Sequence, residues 1–276
     1  MKSAKHWTDE VLTAISVLTP AAQLIHEEPF YMIRCNTGNI YMHLVSLEQP
    51  FIPVELIAVQ ERYLAEGKFL IHVWEDIWYR HKYIVLDRMK SILGMNTTIY
   101  ARSTRLIKLT AKEAREFLQH YHLQGFVHAK YFYGLFLNSE LLVVAAFSHL
   151  RPMLSKGSHY RSAELVRFAS KSGFTVTGGL SRLIKHFIQE TGPDDLMTYA
   201  DRDWSAGAGY ARLGFVLTGV SNPIYLCVDQ ADYSRHYLHR MHYHSKTDLN
   251  AKEGGCPPGF SRIFTTGNLK YYLYCK

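Results

Sequence analysis

Between Ala163 and Lys185 the chain passes from a strand pattern to a helix pattern through a turn that carries three glycines. Ala163-Glu164-Leu165-Val166-Arg167-Phe168-Ala169-Ser170 reads as a strand, and Leu180 to Glu190 reads as an amphipathic helix. The turn between them, Lys171-Ser172-Gly173-Phe174-Thr175-Val176-Thr177-Gly178-Gly179, opens directly onto the helix. A strand that feeds a helix in this way points to a mixed α/β core. Exposed N–H groups at the helix start, with glycines allowing close backbone approach, suit a pyrophosphate, and Arg182 and Lys185 add charge to the helix face. Taken alone, the joint is equally the sign of a turn that needs glycine for its backbone.

The elements around it agree. Upstream, Leu106 to Leu109 is a strand, Thr110 caps a helix from Ala111 to Tyr121 with Glu113 in the reciprocal capping-box position, and Tyr131–Leu137 with Leu141–Leu150 form a hairpin. Downstream, Leu196 to Ala200 is a strand, Trp204 to Leu213 a helix stopped by Gly214, and Phe215 to Gly219 a strand. The first hundred residues read as a smaller α/β unit. Phe30–Cys35 and Ile40–Val45 form a hairpin, Pro53 opens the helix Val54 to Ala65, Phe69–Trp74 is a strand and Asp76 to Leu93 a helix. The expected division is therefore 1–100, 101–230 and a basic, aromatic, histidine-rich extension 231–276. That extension is expected to pack on the preceding domain and to carry strands at Arg262–Phe264 and Tyr271–Leu273.

A second stretch, Tyr199-Ala200-Asp201-Arg202-Asp203-Trp204-Ser205-Ala206-Gly207-Ala208-Gly209-Tyr210-Ala211-Arg212-Leu213-Gly214-Phe215, resembles the GNAT (N-acetyltransferase) superfamily. Members carry a Gly-rich coenzyme A loop before a long helix, then a Tyr-x-x-x-Gly-Phe ending to the next helix. Tyr210-Ala211-Arg212-Leu213-Gly214-Phe215 fits that ending, at a suitable distance from Gly178. The resemblance implies a GNAT-like mixed sheet with flanking helices and an acyl-CoA-dependent N-acyltransferase that uses acetyl-CoA or another acyl-CoA. It places the pyrophosphate on Thr177, Gly178, Gly179 and Leu180, with Ser181 and Arg182 beside them. It makes Tyr210 the proton donor to the departing thiolate, with Glu164 or Asp201 removing a proton from the amine. The family's loop begins with Arg or Gln, whereas this one begins with Phe174. A non-catalytic, nucleic-acid-associated GNAT-like module that kept the fold and lost cofactor binding is therefore the alternative.

A closer resemblance is to GNAT-like domains of phage and bacterial proteins, some joined to homing-endonuclease-type nucleases. It rests on His122-Leu123-Gln124-Gly125, Glu164-Leu165-Val166-Arg167-Phe168, Tyr199 to Ser205 and Gly267-Asn268-Leu269-Lys270. Leu64 to Asp76 looks like the last helix and strand of very-short-patch-repair-type endonucleases. No Asp occurs between Glu10 and Glu75 to supply their metal-binding residue, which implies a degenerate remnant.

Charge sets the expected partner. Residues 1–100 hold 9 Lys plus Arg against 11 Asp plus Glu, and residues 101–276 hold 22 against 13, so the basic excess belongs to the C-terminal two-thirds. A polyanion, DNA or RNA, or a nucleotide cofactor fits that balance, as does a basic surface with no particular partner. No apolar run approaches the roughly 20 residues of a membrane helix. The scattered Cys35, Cys227, Cys256 and Cys275 read as reduced thiols of a cytoplasmic protein. His72, Glu75 and Asp76, and the group His236, His239, His242 and His244, are weak metal candidates, so no metal is expected.

Overall fold

The computed structural model describes residues 4–35, 38–48, 51–238 and 255–275. They form two compact units, neither continuous in sequence. The first comprises Met1–Lys82, Asp201–Ala206 and Ser221–Asn268, and the second Tyr83–Ala200, Gly207–Val220 and Leu269–Lys276. Elements are numbered along the whole chain.

In the first unit, α1 (Ala4–Leu18) precedes β1 (Gln23–Glu27), β2 (Phe30–Arg34) and β3 (Ile40–Val45), then α2 (Pro53–Ala65) and β4 (Phe69–Trp74). The sheet order is β1-β2-β3-β4, antiparallel until β3 and β4 pair in parallel across α2. Pro53 stands at the start of α2, and the Glu55 carboxylate accepts the Ile52 N–H at 2.9 Å. After β4 comes α3 (Glu75–Ile92), kinked at His81. His43 and His72 face each other on β3 and β4, both fully buried, with Nδ1 atoms 3.0 Å apart. His72 Nε2–H donates to the Leu56 carbonyl at 3.1 Å, so its Nδ1 accepts from His43. Burial holds both imidazoles neutral, His72 down to about 4 and His43 well below its usual range.

Residues 221–268 complete this unit instead of extending the second. Strands β14 (Tyr225–Asp229), β15 (Arg235–Tyr237) and β16 (Phe260–Phe264) form a small sheet in the order β15-β14-β16. Their Leu226, Val228, Ile263 and Phe264 close on Val45, Leu56 and Trp74 in one apolar cluster, worth about 1.5–3 kcal/mol per buried side chain. The Arg235 guanidinium grips the buried Asp76 carboxylate with both oxygens, at 2.6 and 3.0 Å. Cys227 and Cys256 form a disulfide, which corrects the expectation of reduced thiols for that pair; Cys35 and Cys275 lie outside it. His236 lies on β15, while His239, His242 and His244 fall outside the described residues.

Segment 201–206 is bound into the same unit through its backbone. The Asp203 carbonyl accepts the His72 N–H at 2.8 Å, and the Arg202 carbonyl accepts from the Gln60 amide at 2.6 Å. The buried Asp203 carboxylate accepts the Thr266 hydroxyl at 2.6 Å, and the Arg202 guanidinium reaches Glu61 at 2.9 Å. With those carbonyls committed, the helix expected from Trp204 to Leu213 shrinks to α6 (Ala208–Ala211).

The second unit is a mixed α/β fold, a multi-strand mixed sheet with flanking helices. Its further elements are β5 (Thr97–Tyr100), β6 (Arg105–Lys108), α4 (Ala111–Tyr121), β7 (Tyr131–Leu137), β8 (Glu140–Phe147), β9 (Arg151–Pro152) and β10 (Arg161–Ser170). They continue through β11 (Phe174–Thr177), α5 (Gly179–Thr191), β12 (Asp195–Asp201), β13 (Val216–Val220) and β17 (Asn268–Tyr274). The sheet runs β13-β17-β12-β10-β8-β7-β6 with β9 beside β10, and β5 pairs with β11 separately. The capping box at Thr110 and Glu113 starts α4 as its sequence implies. Ala114, Phe117 and Leu118 of α4 cover one face against Phe132, Val144, Ala146 and Ala169. Leu183, Ile184 and Phe187 of α5 cover the other against Leu135, Phe147, Leu165 and Leu196, with Phe147 and Phe187 stacked at 4.2 Å. The strands flanking Thr266 to Asn268 are no hairpin, since β16 and β17 enter different sheets.

Candidate active site

Strand β10, helix α5 and strand β12 form a parallel crossover. The two strands pair only from Ser162–Asp195 to Leu165–Thr198, and β10 then continues beside β8 as far as Ser170. The β10–β8 register shifts between Leu165 and Arg167, leaving Val166 as the extra residue of a bulge. The sheet therefore opens between β10 and β12 at their carboxyl ends, the position where open α/β sheets take ligands.

The sides of this opening carry two of the sequence-predicted groups. Thr198 is the last paired residue of β12, and its hydroxyl donates to the Leu165 carbonyl at 3.0 Å. The Thr198 side chain lies near enough to the Tyr210 phenol to act against its rise on burial. Its ring packs on Phe215 and Tyr271, with centroids 5.5 and 5.6 Å away. Burial pushes the phenol above its usual range, so it stays protonated. Ala163 and Leu165 point into the α5-side core, so Glu164 between them projects from the α4 side. Its backbone is fixed on both sides by Ser148, at 2.9 Å each, and its carboxylate lies 3.9 Å from Arg151. The Tyr210 phenol on the α5 side and the Glu164 carboxylate on the α4 side thus flank the strand segment where β10 and β12 part. Asp201 has a different post: it falls in the first unit, where its carboxylate accepts the Asp203 N–H at 3.0 Å and shapes that turn.

The six residues expected to hold a pyrophosphate divide. Thr177 ends β11, paired with Tyr100, and Gly178 precedes α5 in the left-handed region at φ 77° with no side-chain cap. The first N–H groups of α5, from Gly179 and Leu180 onward, therefore have no capping side chain. Gly179 is a packing residue: a Cβ there would press on Val176 and Leu135 at 3.1–3.2 Å. Its missing side chain makes room for the core, where the sequence reading had it making room for a ligand. Ser181 and Arg182 turn toward β6. The Arg182 guanidinium donates to the Ala101 and Thr104 carbonyls and to the Thr104 hydroxyl. With Arg105, Leu106, Gly178, Lys185, His186 and Gln189 they line a groove of about 700 Å³. That groove lies at the β6 edge, with β7 and β8 between β6 and β10.

Two histidines at the end of α4 act as caps. His120 Nδ1 donates to the Glu116 carbonyl at 2.7 Å, and His122 Nδ1 accepts the Gln124 N–H at 3.1 Å. Burial, with Arg167 and Arg88 nearby, pushes His122 down to about 3. The suggested metal ligands are otherwise engaged: Asp76 with Arg235, Glu75 with Ser46 and Leu47, and His72 with His43. Among the described residues no group of three His, Cys, Asp or Glu is arranged to hold a metal. Thr198 and Arg105 were missed in the sequence. Neither stands in a motif, and only the strand register and the helix packing bring them to the sites.

No protein-family model and no curated protein matches the sequence. Among solved structures, the chain is similar to a Bacillus subtilis acetyltransferase in complex with CoA, at 16% identity and TM-score 0.36, over 63% of this chain and 99% of that one. It is also similar to the Escherichia coli ribosomal-protein-S18-alanine N-acetyltransferase, at 15% identity and TM-score 0.37, over 62% and 93%. A third is Arabidopsis thaliana Naa50 in complex with a bisubstrate analogue, at 11% identity and TM-score 0.37, over 62% and 98%.

Proposed function

We propose that the second unit transfers an acyl group from an acyl-CoA, acetyl-CoA being the simplest, to an amine. The observation that carries this reading is the gap between β10 and β12, with the Tyr210 phenol on one side and Glu164 on the other. The cofactor would supply an activated acyl thioester. Around it, the Glu164 carboxylate can take a proton from an amine arriving from the α4 side. The Tyr210 hydroxyl, kept protonated by burial, can deliver one to a leaving sulfur on the α5 side. Acid and base on opposite faces suit a carbonyl attacked from one side with the sulfur departing toward the other. The α5 start, with its N–H groups uncapped, can take a phosphate at the same end of the sheet. The resemblance of the 163–185 and 199–215 stretches to the GNAT superfamily supports the same assignment.

A second reading, a nucleic-acid-associated module without catalysis, is favoured by the commitment of Arg182 to Ala101 and Thr104 and by Phe174 at the head of the loop. Both readings include association with DNA or RNA through the basic residues of 101–276. The first unit fits the degenerate-nuclease reading only through the stretch Leu64 to Asp76, and Asp76 is spent on Arg235. No described helix is long and apolar enough to cross a membrane. The cytoplasmic placement rested on reduced cysteines, and the Cys227–Cys256 bond removes that support. Calorimetric titration separates the two functions: the transferase reading expects acetyl-CoA to bind the full chain with one site per molecule. Absence of binding at millimolar acetyl-CoA, from a folded sample, leaves the module reading.

A further inference from the structure

The groove between α5 and β6 carries positive charge that nothing around it offsets. Its lining includes Arg105, Arg182 and Lys185 and no carboxylate. Arg105 and Lys185 have no ion-pair partner among the described residues, and Arg182 donates only to neutral oxygens. Glu190, one turn beyond His186, is taken by Lys108 at 2.6 Å and Tyr133 at 2.8 Å. Three like charges gathered in a concave surface repel one another, so the groove is stabilised by an anion.

The layout says what kind of anion. Gly178, Arg182, Lys185 and Gln189 recur at helical spacing along one flank of α5, a row about 16 Å long at 1.5 Å per residue. A compact ion would use one turn of that row; an extended polyanion can use all of it. The turn that Arg182 holds also presents Tyr100, 55% exposed, with the Arg102 guanidinium 5.2 Å from its ring centroid. A cationic groove beside an exposed aromatic ring is the arrangement by which single strands are held, phosphates on the cations and a base on the ring. Bases of a duplex are stacked on each other and cannot use the ring.

We propose that the α5–β6 groove binds a single strand of nucleic acid, with Arg105 and Lys185 on its phosphates, Arg182 holding the adjoining turn, and Tyr100 as a stacking surface. This gives a location to the nucleic-acid association included in the proposed function and rests on that part of it alone. Arg105, on β6, is separated from the β10–β12 opening by β7 and β8. The Gly178 end of the groove adjoins the α5 start where a cofactor phosphate is proposed, so a bound strand and acyl-CoA would compete at that end.

The test is fluorescence anisotropy of labelled single-stranded DNA and RNA oligonucleotides with the full chain, across a salt series. Arg105→Ala/Lys185→Ala is compared with Lys112→Ala/Lys130→Ala, which removes the same charge elsewhere in the unit. The wild type is expected to bind at least one of the two strands. The groove variant should lose about tenfold or more, with a salt dependence shallower by roughly 1.4, since each phosphate contact to a single strand contributes about 0.7. The control pair should bind like wild type. Tyr100→Ala should weaken binding and leave the salt dependence unchanged. Equal losses in the two double variants, no binding by the wild type, or full displacement of the strand by matched concentrations of inorganic phosphate would each overturn the proposal. An acetyl-CoA titration of the wild type alone, without oligonucleotide, reads the transferase assignment separately.

Discussion

Tyr210→Phe is expected to fold as the wild type does and to lower acyl transfer by about 10²–10⁴-fold, the usual worth of a positioned general acid. The ring keeps its packing on Phe215 and Tyr271 and loses only the hydroxyl, a change of about 1 kcal/mol in stability. Acetyl-CoA affinity should change far less than turnover, because the proton is needed only as sulfur departs. Parallel measurements of turnover, acetyl-CoA affinity and thermal unfolding check this. Full turnover in the folded variant would assign the proton to another donor. A collapse of stability with turnover would make the tyrosine a packing residue.

Gly267→Ala should be strongly destabilising. Gly267 sits at φ 85°, and a Cβ there would run into the backbone carbonyl of Ser221, which cannot swing aside as a side chain can. Left-handed backbone costs a non-glycine residue about 1–2 kcal/mol, and overpacking commonly adds about 1–3. The position also fixes its neighbours: the Gly267 carbonyl accepts the Arg202 N–H at 3.2 Å, and Thr266 bonds Asp203. Urea unfolding should show a loss of about 2–5 kcal/mol on this reasoning. Gly219→Ala, with nothing within 4 Å of the new carbon, is the comparison and should lose less than about 1 kcal/mol. Equal effects at the two glycines would contradict the account of this turn.

Local signals in the sequence carried far. The capping box at Thr110 and Glu113, Pro53 at the head of α2, and the turn-bounded hairpins of β2–β3 and β7–β8 all depend on neighbours within a few residues, and the structure has them close to where the pattern puts them. The helix α1 was missed although Trp7, Val11 and Ile15 recur every fourth residue and are all buried. What local pattern could not hold is the way the chain returns. Segments 201–206 and 221–268 join the first unit through contacts across long sequence separations, such as Gln60 to Arg202 and Arg235 to Asp76. Each segment alone reads as an ordinary continuation of what precedes it.

The site shows the same division. Gly178, Tyr210 and Glu164 stood out because motif and turn chemistry marked them. Arg182 was visible as a positive charge, but its direction is set by packing against the Ala101–Thr104 turn, and packing is not written in spacing. Gly179 reads in sequence as clearance for a ligand, whereas Val176 and Leu135, the latter more than forty residues earlier, are what need the space.

The central claim is that the β10–β12 opening performs acyl transfer. The measurement that meets it most directly is release of free thiol from acetyl-CoA by the full chain, followed with a thiol reagent across a panel of amine acceptors, nucleic acids with exocyclic amines among them. The account predicts thiol release that depends on an acceptor and falls by at least about a hundredfold in Tyr210→Phe. Release that is no faster than in buffer for every acceptor, from a protein shown to bind acetyl-CoA, would contradict it.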